Sequence, residues 1–160
     1  MSQGQGVGIT TGVDALASTL KHLARICADG EKAFHAAAGT LQDSNLAHLF
    51  ESYSKQRAEF ADQLLQELRK LGLPSAQSDS DGAAVNRGPL EVVAAAKEAD
   101  EGTVIIECER AEEVSSEAYG TALETDLPAE LQALLERQWM AVRQVKEQLR
   151  SLARTYQRHT

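Results

Sequence analysis

Carboxylates, imidazoles and thiols are the side chains of this sequence with the chemistry to hold a metal or act as nucleophiles. A di-iron centre inside a helical bundle needs a Glu from each of two helices and a Glu-x-x-His from each of the other two. Hard carboxylates bridge the metals there, and imidazoles complete each coordination sphere. The histidines are His22, His35, His48 and His159, and none stands three residues after a Glu, so that signature is missing. His35 follows Glu31 by four residues, a spacing common on solvated helix faces. Cys27 and Cys108 stand singly in their segments, which leaves no CxxC redox pair and no cysteine zinc site. No basic residue directly flanks either thiol to lower its pKa, and cysteine at an apolar stripe position behaves as a small hydrophobe. There is no Gly-rich phosphate loop and no GxSxG elbow, so nucleophilic and nucleotide chemistry are unsupported.

Helices must position these groups. Leu16, Leu20, Leu23, Cys27, Gly30, Phe34, Ala37 and Leu41 recur at alternating spacings of four and three, the seam of a bundle-facing helix. It predicts a helix over about 13–38, with Gly39 as a left-handed cap and Asp43 or Ser44 opening the next helix. Leu46, Leu49, Phe50, Tyr53, Phe60, Leu64, Leu68 and Leu71 continue the pattern over about 45–71, until Gly72-Leu73-Pro74 stops it. A short turn makes these two helices antiparallel neighbours. A second hairpin follows, with helices over about 103–124 and 128–157, the latter opened by Pro128. Residues 72–102 form a long crossover in which Pro89 opens a short helix over 89–98. The expected fold is all-α: one four-helix domain over 13–157 behind a flexible segment, 1–12, with the two hairpins joined by that crossover.

At about 100° per residue, Glu31 and Glu112 fall within about 50° of the centres of their apolar stripes. Arg57 lies close to the stripe centre between Tyr53 and Phe60, and Gln138 sits between Leu135 and Val142. An arginine near the bundle axis repels a dication but binds carboxylates through its planar fork. The simplest reading is an interior polar core of Glu31, Arg57, Glu112 and Gln138, with a salt bridge in place of a metal. Two other readings stay open. In one the charges ride on the stripe edge and snorkel to water; in the other Glu31 and Glu112, with Glu109, Glu136 or His35, bind iron or another divalent ion.

The halves also correspond, Cys27 and Glu31 with Cys108 and Glu112, and Gly39-Thr40 with Gly120-Thr121, which implies a weak internal duplication. The segments DGEKAFHAAAG, SKQRAEFADQLLQELRKLG, ECERAEE and LPAELQALLERQ resemble a bacterial ferritin-like family catalogued as a domain of unknown function. The resemblance implies a ferritin-like four-helix fold and carries no reaction or substrate with it.

The chain has 160 residues, 42% hydrophobic and 4% aromatic, with a formal charge of −8. That length suits one domain, and the acidic balance disfavours nucleic acid and anionic membranes as partners. Met1 to Thr11 lacks the basic and apolar regions of a secretory signal, so a cytoplasmic setting is expected. The expected role is a non-enzymatic binding or interaction module without a cofactor. Its outer face would meet a protein partner or a second copy through residues off the main stripe, Trp139 and Ile106.

Overall fold

The computed structural model describes residues 2–72 and 100–158. Among them are four helices and no strand: α1 (Ser2–Thr40), α2 (Ser44–Lys70), α3 (Glu101–Leu123) and α4 (Ala129–Arg158). None is long and apolar enough to cross a membrane. The short helix expected over 89–98 lies outside the described residues.

Local chemistry explains most of the boundaries. Asp43 caps α2, its Oδ1 accepting from the N–H groups of Asn45 and Leu46 at 2.8 and 3.2 Å. Asp100 caps α3 in the same way, accepting from the Thr103 N–H and hydroxyl, so this helix begins slightly before its expected start at 103. Gly72 ends α2 with a φ of 75°, the left-handed conformation that glycine adopts without a Cβ penalty. The Pro128 carbonyl accepts the Gln132 N–H at 2.9 Å and opens α4.

Two expectations are corrected. α1 starts at Ser2 rather than near Val13, taking in most of the segment expected to be flexible. No proline stands there to halt propagation from the amphipathic part of the helix. Gly39 is not a left-handed cap but an ordinary helical residue, and the helix runs to Thr40. The Leu41 N–H still reaches the Ala37 carbonyl at 3.2 Å, and the buried Leu41 side chain draws the chain inward before it turns.

The helices pair as two hairpins, α1 with α2 and α3 with α4, and these make the most extensive packing. Between hairpins α1 lies against α3, whereas α2 and α4 barely touch. Two apolar clusters stack along the bundle. One gathers Phe34, Ala37, Phe50, Tyr53, Ile105 and Leu149, the other Leu20, Leu23, Leu64, Leu68, Leu131 and Leu135. The first joins the end of α1 to the beginnings of α2 and α3, so Asp100 and Gly72 lie at opposite ends of the bundle and α2 runs parallel to α3. All laterally packed pairs are antiparallel, and α2 faces α3 across the diagonal.

Asp43→Ala removes the acceptor for two otherwise unpaired amides at the start of α2. The expected loss is about 1 kcal/mol, read as a lower midpoint with unchanged slope in urea denaturation.

Candidate functional site

The level between the two apolar clusters is polar. Arg57 reaches it from α2 and Glu112 from α3, and the pair is bidentate, with Nη1 donating to Oε2 at 2.6 Å and Nη2 to Oε1 at 2.7 Å. The side chains are only 1% and 2% exposed, a depth at which either charge alone costs several kcal/mol. Their surroundings serve the guanidinium. Its carbon lies 5.4 Å from the Phe34 ring centroid and 5.9 Å from that of Phe60, and Nε donates to Gln56 Oε1 at 3.2 Å. On α1, Gly30 faces the stem, and a Cβ there would stand in ordinary van der Waals contact, 3.5 Å from Arg57 Cγ. Burial pulls the Arg57 pKa down, but the Glu112 carboxylate more than offsets this and the net direction is upward.

A second polar chain crosses the bundle beside the pair. The Tyr119 hydroxyl donates to Gln138 Oε1 at 2.6 Å, which leaves the Cys27 thiol, 3.1 Å from the same hydroxyl, as the donor to Tyr119. Gln138 Nε2 donates in turn to Gln63 Oε1 at 2.9 Å, at the exposed surface of α2. Tyr53 donates to Gln148 across the same α2–α4 gap. Burial drives the Cys27 pKa from 9.0 up to about 11, against a smaller lowering by the Tyr119 hydroxyl, which would turn to donate to the thiolate once the thiol is ionised. Burial likewise raises Cys108 and Tyr119 far above their ordinary values. Both thiols are free and buried, and protonated thiols are poor nucleophiles.

Of the residues singled out by sequence, Arg57, Glu112 and Gln138 are all buried, although Gln138 belongs to the tyrosine chain rather than to the ion pair. Glu31 is corrected: its side chain is exposed, and only its backbone carbonyl takes part, accepting from the Ser54 hydroxyl at 2.8 Å. The stripe passes one residue to its side, at Gly30. The candidate metal ligands are dispersed. Glu109 pairs with Arg150 at 3.3 Å, exposed Glu136 accepts from Gln132 at 3.3 Å, and exposed His35 meets Glu51 at 3.1 Å. Among the described residues no three His, Cys, Asp or Glu side chains converge. The space beside Glu112, lined by Gly30, Phe34, Cys108 and Ser115, measures about 10 Å³, room for about one water molecule and far below the ~300 Å³ of a small ligand pocket.

Sequence reasoning missed Tyr119 as a polar-core member, and Gly30 and Phe34 as the walls around the arginine. Tyr119 carried a signal, since a tyrosine on an apolar stripe must find a partner for its hydroxyl. Trp139 and Ile106 are both half-buried. Ile106 packs on the first apolar cluster and Trp139 on the second.

Arg57→Leu should cost about 3–5 kcal/mol by leaving Glu112 buried and unpaired, whereas Glu31→Gln should stay within about 0.5 kcal/mol; chemical denaturation of both variants gives the comparison. Alkali supplies a second test. Native Cys27 holds its proton up to about 11, while an unfolded thiol loses it near 9.0. Stability from this group is therefore complete below pH 9 and lost as the pH climbs towards 11. Urea midpoints measured over that window should fall, and fall less steeply in Cys27→Ala.

A family model described as Domain of unknown function (DUF2383) matches residues 15–125. No match was found among curated proteins.

Proposed function

This chain belongs to the DUF2383 family, and we propose that it is a bacterial ferritin-like bundle whose centre is held by an ion pair instead of a metal and whose work is done on its outer surface, as an interaction module. The observation that carries this reading is the Arg57–Glu112 pair, a bidentate cation and anion at the buried level where such bundles place metal-bridging carboxylates. A fixed guanidinium there opposes a dication by simple Coulomb repulsion. The parallel course of α2 and α3, with Gly72 and Asp100 at opposite ends, supports the ferritin-like topology, which requires a connection that returns along the bundle.

Chemistry at the core is equally disfavoured by its groups. The thiols are protonated and buried, and the space beside Glu112 admits no substrate. A cofactor has no part in this reading, and the partners are proteins. The formal charge of −8 argues against nucleic acid and anionic lipid, and two buried, unpaired thiols suit a reducing cytoplasm.

Elemental analysis of the purified, untagged protein, coupled to thermal melts with and without Fe(II) and Mn(II), tests the proposal. The expected result is no stoichiometric metal and an unchanged melting temperature. Stoichiometric metal with a raised melting temperature that Glu112→Gln abolishes would overturn it, because a ligand bound only to the native state must stabilise it.

A further inference from the structure

On the outer face of the α3–α4 hairpin, the balance of charge differs by helix. α3 presents Glu113 and Glu117, with Glu124 just past its end, beside a single exposed cation, Arg110, that Glu107 engages; α4 presents Arg143, Lys146 and Arg150 beside Glu136 and Glu147, the latter engaged by Arg150. Part of this charge is satisfied within the chain, where Lys146 reaches Glu113 at 3.5 Å and Arg150 reaches Glu109 at 3.3 Å. The rest is not. Glu117 and Glu124 are exposed and have no ion-pair partner among the described residues, and exposed Arg143 lies with its guanidinium carbon 4.8 Å from the Trp139 ring centroid, likewise without a carboxylate. Trp139 sits between the two rows. Its indole N–H donates to the Ser116 hydroxyl at 3.3 Å, and its ring rests on Gly120, where a Cβ would stand 3.6 Å away. Glu117, Gly120, Glu124 and Trp139 together line a surface groove.

We propose that this face binds a second copy of the chain, in a two-fold dimer whose axis runs parallel to the helices. The proposal rests on the interaction-module reading and names its partner. Charge selects the arrangement. A two-fold axis along the bundle lays α3 of one copy on α4 of the other, the mainly acidic row on the mainly basic one. The alternative in-plane axis, across the bundle, lays α3 on α3 and α4 on α4, with like charges opposed. An axis along the bundle also keeps every residue at its own height. Trp139 then meets Trp139 of the second copy at the centre, an aromatic anchor of the kind that dominates interfaces. The α3–α4 register, in which Trp139 lies beside Ser116 and Gly120 and Lys146 beside Glu113, brings Arg143 within about one turn of the second copy's Glu117. The face is of the right order: α3 extends roughly 35 Å at 1.5 Å per residue and two adjacent helices are roughly 20 Å across, a flat projection of about 700 Å² to which side-chain relief adds, against the about 800 Å² that a standard interface takes from each partner.

Sedimentation velocity over a range of concentrations, on wild type, Glu117→Arg, Arg143→Glu, their equimolar mixture and the Glu117→Arg/Arg143→Glu double variant, tests the arrangement. Circular dichroism verifies that each of these surface variants is folded. Wild type should dimerise, each single reversal should weaken the dimer at least about tenfold, and the mixture should regain it as a heterodimer, since each variant then offers the charge the other lacks. The double variant should regain the homodimer. A wild type that stays monomeric at every concentration, or a dimer indifferent to both reversals, would overturn the proposal, and a basic segment of another protein would then be the occupant to seek on Glu117 and Glu124. Either outcome is independent of the metal measurements, so the failure of this dimer and the failure of the metal-free reading are distinguishable.

Discussion

A bidentate ion pair without access to water is the constraint around which this bundle is arranged. Arg57 belongs to one hairpin and Glu112 to the other, so the pair forms only when both hairpins are present and in one register. A shift of one turn along the axis would leave two charges buried in hydrocarbon, at a cost of several kcal/mol each. Apolar packing of Leu, Ala and Val tolerates small slips far better, because dispersion and burial are non-directional. The pair therefore selects one alignment for the two apolar clusters that flank it. Phe34 and Phe60 follow from the same requirement: aromatic faces where the guanidinium plane needs contact.

The neighbouring polar chain solves a different problem. α2 and α4 stand apart, and the gap between them is spanned by side chains long enough to reach, Gln138 to Gln63 and Tyr53 to Gln148. α1 and α3 approach closely because small residues face each other there, among them Gly30, Ala33, Ala111 and Ser115. The bundle is thus asymmetric, tight and small-residue on one side, open and hydrogen-bonded on the other. Each interior polar group in these two networks is spent on another protein group. The burial that makes the networks stabilising also keeps the Cys27 thiol and the Tyr119 hydroxyl protonated, which removes their nucleophilic chemistry.

With the interior engaged in its own cohesion, the surface is where we propose that specificity resides. In a chain of formal charge −8, the α3–α4 face is mainly acidic along α3 and mainly basic along α4, with a half-buried tryptophan on the boundary. Opposite charges on adjacent helices are partly satisfied within the chain, and what remains is the basis of the proposed contact between copies. In that proposal the charges would steer the second copy and fix its orientation more than supply raw affinity, for which the aromatic anchor is better suited.

Helix content and most boundaries were legible in the amino-acid order, because four-three spacing, Asp43, Gly72 and Pro128 act through local geometry. The inward placement of Arg57 and Gln138 was legible for the same reason, since a residue at the centre of an apolar stripe has few ways out. Periodicity gives the line of the stripe but not the width of the arc that neighbours cover. Glu31 and Glu112 occupy matching wheel positions in the two halves, yet α3 is covered on the Glu112 side and α1 is left open on the Glu31 side. Likewise Gly39 looks like a stop, but the helix passes through it because Leu41 is drawn into the core. The contacts of Cys27 with Tyr119, Trp139 with Ser116, and Arg57 with Glu112 join residues far apart in the chain. The sequence by itself determined four amphipathic helices and an arginine that had to find a buried anion. Only the packing of one hairpin on the other decided which carboxylate that would be and which charges were left facing outward, because both depend on the rotation and register of helices that no local propensity specifies.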